Sequence, residues 1–421
     1  MTSSAEHLPS PEHHSPAMRR TIGIVGLMSN ENVGDYLLVE ATKYLLRSHD
    51  PDAVLVDIDV DPRKESIRSG VRRLNFRIAA IMKVFERPVL AVLRSRRISY
   101  AYSYAYWRIK LGWYFSDRIK DLDAIVFTGG GFIKFKTQGL NYIDELILEN
   151  ARRRDIPVMM NAVGVEGYSE TDIRCQQLKK ALNSENVRAI TTRDDIATLT
   201  ERYITSPHIV TERVGDPVFW LKEMELVDRS APATAHPTRP RIGINLINPQ
   251  NFSVYGGDIS PDAVINFYRN LLTELRRLDA DFFLFSNGMS VDQAFGETLV
   301  STLNLRPDQL VHQPTTSREF VNVVAGFDII LSARMHAGIT AYALDVPVVG
   351  LIWGEKLQFL TAITGLRDRY FDEHELDFVK IAHLLVSNDL PEPDLARRAE
   401  LRERTRRQLV QFVESVPRGT A

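Results

Sequence analysis

Short apolar runs alternate with segments of helical periodicity along nearly the whole chain. This alternation constrains the fold more than any single motif does. "TIGIVGL" (residues 21–27) has the pattern of a buried strand; the loop "MSNENVGD" follows, then "YLLVEATKYLLRS" with apolar residues at helical spacing. "AVLVDIDV", "DAIVFTGGGFI", "IPVMMNAVGV", "VRAITTRD" and "HIVTERVGDPVFWL" continue the strand series. A second series begins at "RIGINLIN" and runs through "FFLFSNG", "LVHQ", "DIILSA" and "VPVVGLIW". Strands alternating with helices build parallel sheets, because a parallel pair needs a long crossover between its strands.

Two such series predict an α/β protein of two Rossmann-like parallel-sheet domains facing a cleft, the GT-B layout. The expected divisions are a disordered tail over residues 1–19, a first domain over 20–222, a linker over 223–240, a second domain over 241–370 and C-terminal helices over 371–421. The linker segment carries three prolines and little periodicity. With 421 residues, 44% of them hydrophobic, the chain has material for two cores. The tail lacks the apolar core of a secretory signal, and its His7, His13 and His14 read as solvated residues. No apolar run approaches the roughly 20 residues that span a bilayer. The single cysteine, Cys175, excludes an internal disulfide and suits a reducing cytoplasm.

Net charge is −2, so nothing draws the whole chain to nucleic acid, and no nucleic-acid motif is present. The charge is uneven, however. Residues 63–120 hold 15 Lys or Arg against three acids, interleaved with Trp107, Trp113 and "SYAYSYAYW". This basic insertion (62–120) reads as a solvated helical pair, as a surface meeting an anionic membrane, or, with the same charges but no recognised motif, as a nucleic-acid contact. The expected location is cytoplasmic, with peripheral contact at the inner face of the plasma membrane under the second reading.

Candidate site residues fall at strand ends. In "DIILSARMHAGITAYALDVPVVGLIW" (residues 328–353), "SARMHA" lies between a strand and a small-residue helix, where open α/β sheets bind anions. If extended there, Arg334 and His336 would point to one side, and the histidine could exchange a proton near neutral pH. The plainer reading is a satisfied histidine and an arginine bracing a carboxylate. Lys356, after "LIWGE", adds positive charge at the next strand end or lies in solvent. Arg193 in "AITTRDDIA" has a fork suited to a carboxylate or phosphate. Asp35 in "NENVGDYLL" is expected to cap the first helix or to project its carboxylate into the cleft. The glycines of "TGGGF", including Gly130 and Gly131, allow close approach of a ligand or of the other domain; no Walker lysine follows them. Asp216, in its Gly-Asp-Pro turn, is explained by turn chemistry.

Taken in order, "NVGDYLL", "TGGGF", "TTRD", "VGDP" and "ILSARMHAGITAYALDVPVVGLIW" with its following "EK" resemble the polysaccharide pyruvyltransferase family from about Thr21 to about Leu366. Tyr36 stands where the family often has an acid, and Gly167-Tyr168 where Gly-Pro is common. The resemblance implies transfer of a carboxyethylidene group from phosphoenolpyruvate to two hydroxyls of a sugar in a polysaccharide or glycolipid precursor, with release of phosphate. It implies donor-binding roles for Arg193, Arg334 and His336. The accompanying expectations are His336 as acid, Asp35 as base, and Gly130, Gly131 and Lys356 as further binding residues, with no cofactor and no metal. Two rival readings are a nucleotide-sugar glycosyltransferase of the same fold, with Glu355 near a ribose, and a noncatalytic carbohydrate- or membrane-binding relative.

Overall fold

The computed structural model describes residues 19–28, 31–62, 70–92, 95–136, 139–228, 239–254 and 259–417. The expected tail through Met18, its three histidines, and the proline-rich part of the linker from residue 229 to 238 lie outside these residues. So do residues 63–69, 93 and 94 of the basic insertion.

The first sheet is built from β1 (Thr21–Gly26), β2 (Val54–Asp59), β3 (Ala124–Phe127), β4 (Gly130–Ile133), β5 (Val158–Val165), β6 (Val187–Thr192) and β7 (Val210–Arg213). Its order is β2-β1-β3-β5-β6-β7, with β4 paired to β5. The second sheet contains β8 (Arg241–Asn245), β9 (Asp281–Phe285), β10 (Ile329–Ser332), β11 (Val348–Leu351) and β12 (Tyr370–Phe371), ordered β12-β11-β10-β8-β9. Every pairing is parallel. Central strands such as β1, β3, β5 and β10 are buried along almost their whole length, as parallel strands covered on both faces must be.

The strand order reverses between β1 and β3 in the first sheet and between β8 and β10 in the second. Crossovers leave such a switch point in opposite directions, opening a crevice at the carboxyl ends of the strands. The loops after β1 and β3 therefore meet the loops after β8 and β10. Among the segments expected as strands, three differ, the first being "DAIVFTGGGFI", which divides into β3 and β4. "LVHQ" makes only one bridge, Leu284 to Leu310, and "HIVTERVGDPVFWL" divides into β7 and a 3₁₀ helix, Pro217–Met224. The proline in "GDP" removes a ladder donor and suits the first helical position, with Asp216 as N-cap.

Apolar packing joins the two halves. Leu37 and Leu38 of the helix Val33–His49 share a cluster with Phe219, Ile339 and Tyr342. The helix Leu395–Ser415 bridges as well: Leu401 belongs to that interdomain cluster, whereas Leu409, Phe412 and Val413 pack with Ile22, Ile24 and Val126 of the first sheet. Among the described residues, no helix is long and apolar enough to cross a membrane.

Candidate active site

Between the two sheets lies a cleft of about 990 Å³ lined by Asp35, Gly131, Arg193, Arg334, His336 and Lys356. Six of the seven site residues expected from sequence thus converge there from both halves. Gly130 does not line the cleft; its φ of 134° sets the turn into β4 that brings Gly131 to the wall.

The segment after β10 is helical sooner than expected. Arg334 is the N-cap residue and His336 the second residue of the helix Met335–Leu344, so the pair is not extended. Asn245, fully buried at the end of β8, holds this start: its Oδ1 accepts the Arg334 amide at 2.9 Å. The Arg334 guanidinium donates through Nε and Nη2 to both oxygens of Asp292, at 2.9 and 2.8 Å. It braces a carboxylate, as in the plainer of the two sequence readings, and still borders the cleft. Arg193 is similarly engaged, its Nη1 paired with the buried Asp216, so that aspartate does more than make a turn. Neither arginine presents an uncommitted fork, because each has a carboxylate partner fixed by the fold. Arg193 Nε is buried and has no hydrogen-bond partner among the described residues.

The helix Val33–His49 is capped by Asn32, not by Asp35. Asn32 accepts from the Gly34 amide and donates to Asp35 Oδ2 at 2.8 Å. Asp35 sits in the first turn, where a carboxylate is favoured by the free helix amides. Its Oδ1 lies 3.7 Å from Nε2 of His336 across the domain boundary. Gly34 makes that approach possible: a Cβ there would stand 2.5 Å from the His336 Cβ. His336 Nε2 is buried without a hydrogen-bond partner. Burial lowers the imidazole pKa below its ordinary value, and the Asp35 carboxylate opposes this only in part, so the ring is neutral at pH 7.

Two further residues had no motif to announce them. Lys134 follows β4 and Glu166 follows β5, and both line the cleft. Lys356 Nζ lies 2.6 Å from Glu166 Oε1, and Lys134 Nζ lies 3.9 Å from the same oxygen. Burial pulls the Lys134 ammonium below the usual lysine range, with Glu166 opposing. A Cβ on Gly131 would meet Glu166 Oε1 at 2.4 Å and Lys356 Nζ at 3.0 Å, so this glycine makes room for the bridge. Glu166 is positioned by an irregularity: β5 shifts register between Met160 and Val163, and Ala162 takes a φ of 52°. Bulges of this kind re-aim a strand end next to a site. A hint lay in "GGGFIKF", a lysine soon after a Gly-rich strand end, but spacing alone could not pair it with Glu166.

The arrangement is a partly desolvated cleft lined by five Lys or Arg and five carboxylates, with one neutral imidazole beside a carboxylate. It can bind a small polyanion and move a proton. The two-sheet fold with this interdomain cleft defines a GT-B-like protein, and solved structures agree. The chain is similar to UDP-N-acetylglucosamine 2-epimerase from Rickettsia bellii at 14% identity, with a TM-score of 0.54 and coverage of 94% of this chain and 96% of that one. It is also similar to UDP-GlcNAc 2-epimerase from Methanocaldococcus jannaschii at 11% identity, TM-score 0.55, covering 94% and 99%. The enzyme from Neisseria meningitidis matches at 12% identity, TM-score 0.53, covering 94% and 99%. At such identities the likeness concerns the fold alone. No curated protein matches the sequence. The family model for polysaccharide pyruvyl transferase matches residues 32–355, and the chain belongs to that family.

Proposed function

We propose that the protein transfers the carboxyethylidene group of phosphoenolpyruvate to two hydroxyls of one sugar in a glycan precursor, releasing phosphate. The observation that carries this reading is the meeting of Arg193, Arg334, His336 and Lys356 in one cleft, in a chain of this family. Phosphoenolpyruvate bears a carboxylate and a phosphate a few bonds apart. Charges supplied from two sheets can hold both ends while cleft walls exclude water. The second domain and Arg193 hold the donor under this reading, and the first domain receives the acceptor.

The chemistry needs a proton on the donor methylene carbon, which makes the neighbouring carbon an electrophile. A sugar hydroxyl adds there and loses its proton, the carbon–oxygen bond to phosphate breaks, and the second hydroxyl closes the ketal with loss of its own proton. His336 is the acid. Because it is neutral when the cleft holds no anion, it becomes an imidazolium only once a dianionic phosphate lies beside it, since a nearby opposite charge favours the charged form. Asp35, 3.7 Å away, stabilises that cation and can accept a hydroxyl proton. Departing phosphate is stabilised by Arg193, Arg334 and Lys356.

Calorimetric titration with phosphoenolpyruvate, in parallel with a panel of nucleotide sugars, tests the donor. Lys356→Ala is the diagnostic variant, because the side chain is about one-third exposed and Lys134 stays 3.9 Å from the Glu166 oxygen that it leaves. Saturable binding of phosphoenolpyruvate alone, weakened about tenfold or more in the variant, is the expected result. Binding of a nucleotide sugar with indifference to phosphoenolpyruvate would transfer the cleft to a diphosphate and sink the proposal.

A further inference from the structure

The basic insertion forms a hairpin of two helices, Gly70–Val92 and Arg96–Ile119. The second helix is tied down. Tyr104 donates to Glu149 at 2.6 Å, Tyr100 donates to Glu145, and Leu111 and Phe115 enter the core of the first domain. The first helix rests on the second through Phe76 and the buried Ala79, with Tyr102 donating to the Met82 carbonyl at 2.6 Å. Its opposite side is unusual. Leu74, Ile78, Ile81 and Phe85 recur at helical spacing and form one stripe, and they are 55%, 39%, 58% and 55% exposed. Among the described residues, six of the 11 exposed large apolar side chains lie between Leu74 and Ile98. Arg77 is exposed at the edge of this stripe, and Arg96 and Arg97 are exposed at the start of the second helix; Lys83, on the other side, reaches over the Tyr106 ring.

We propose that this hairpin docks the protein on an anionic lipid bilayer, the stripe entering the acyl boundary and the surrounding cations meeting acidic headgroups. Three observations favour lipid over a protein partner. An apolar stripe edged with Lys and Arg is the pattern of a helix lying in a membrane interface. Residues 63–120 hold 15 Lys or Arg against three acids in sequence, and the side chains described there are eight Lys or Arg against one acid, so a second copy would meet the hairpin with like charge. Since the whole chain carries −2, the remainder holds a compensating negative excess, and the resulting polarity orients this face toward an anionic surface. The hairpin is also a wall of the cleft: Trp107, with Lys110 over its ring at 4.6 Å, lines it. A docked molecule therefore holds its cleft close to the bilayer. That the acceptor sugar is carried on a lipid follows only if the pyruvyl-transfer reading holds; the docking itself does not depend on it.

The test is flotation of the full chain with phosphatidylcholine vesicles, with and without phosphatidylglycerol, at low and high salt. The expected result is flotation with the anionic vesicles only, reduced by salt. The triple variant Ile78→Ser, Ile81→Ser, Phe85→Ser should weaken partition about a hundredfold, with thermal midpoint and phosphoenolpyruvate binding unchanged. Wild-type protein that ignores anionic vesicles, or a variant that floats equally well, overturns the proposal. So does a wild-type dimer in light scattering that the variant dissociates, because a second copy would then cover the stripe. Protein that binds phosphoenolpyruvate but no vesicles refutes the docking alone; protein that floats but ignores phosphoenolpyruvate refutes the donor reading alone.

Discussion

At the scale of single side chains, the two arginines of the cleft carry a constraint that any substitution must respect. Asp292 is fully buried against Arg334, so Arg334→Ala strands a carboxylate and should cost about 3–5 kcal/mol of stability. Adding Asp292→Asn should restore most of the thermal midpoint and leave phosphoenolpyruvate binding lost. Recovery of donor affinity in the double variant would reduce Arg334 to a folding role. His336 makes a different prediction. Its pKa lies below the ordinary value, and under the proposed reaction a phosphate beside it would raise that pKa, so donor binding near pH 7 should take up protons. Calorimetry in buffers of different ionisation enthalpy reads that uptake, and identical heats in all buffers would rule it out. Glu166 already neutralises Lys356 and Lys134, and an anionic donor must compete with it. Glu166→Gln should therefore tighten phosphoenolpyruvate binding several-fold; weaker binding would mean that the carboxylate touches the substrate directly. At this scale much was legible in "SARMHA" and "TTRD", because both stand at the carboxyl ends of parallel strands, the first of them at a switch point. The carboxylates that engage them were not, since Asp292 is 42 residues from Arg334 and only the connection from β9 to β10, which returns across β8, brings them together.

At the scale of elements, periodicity marked nearly every buried strand, and the misreadings have local causes. A proline turned the end of "HIVTERVGDPVFWL" into a 3₁₀ helix, and Asn32, three residues ahead of Asp35, took the cap that Asp35 seemed suited to fill. The two-residue β12 is too short to leave a pattern. The attachment of the hairpin to the helix Leu140–Arg152 carries a pH dependence. Burial raises the Glu145 carboxyl to about 7, and the Tyr100 hydroxyl donates to it. A folded-state pKa above the unfolded value near 4.5 means that the native state binds the extra proton. This contribution is complete below pH 4.5 and is lost as pH rises through 7. Glu145→Gln should remove that loss, raising stability relative to wild type by up to about 3 kcal/mol at pH 8 and by little at pH 4.5. Denaturant unfolding at the two pH values decides the matter, and an equal effect at both would show that the carboxyl is not titrating.

At the scale of the molecule, the two sheets are held together by a buried apolar cluster and by the straddling helix Leu395–Ser415. Truncating Phe412, 4% exposed beneath the first sheet, should cost about 3–5 kcal/mol although it lies far along the chain from β1. A single cooperative melt shifted downward is expected. A separate early transition confined to the second domain would contradict the placement of this helix. The straddling helix also bears on biosynthesis. Arg20 donates to the carbonyl of Val416 at 3.0 Å, and Ile22, the second residue of β1, packs in one cluster with Val413 and Val416. During translation, the half that emerges first is complete through β7 at Arg213 and then waits with one apolar flank uncovered until the ribosome has read about 200 further codons, to Val413. For that interval the nascent chain depends on whatever shields it, and a chain released early would have no means of closing its own first domain.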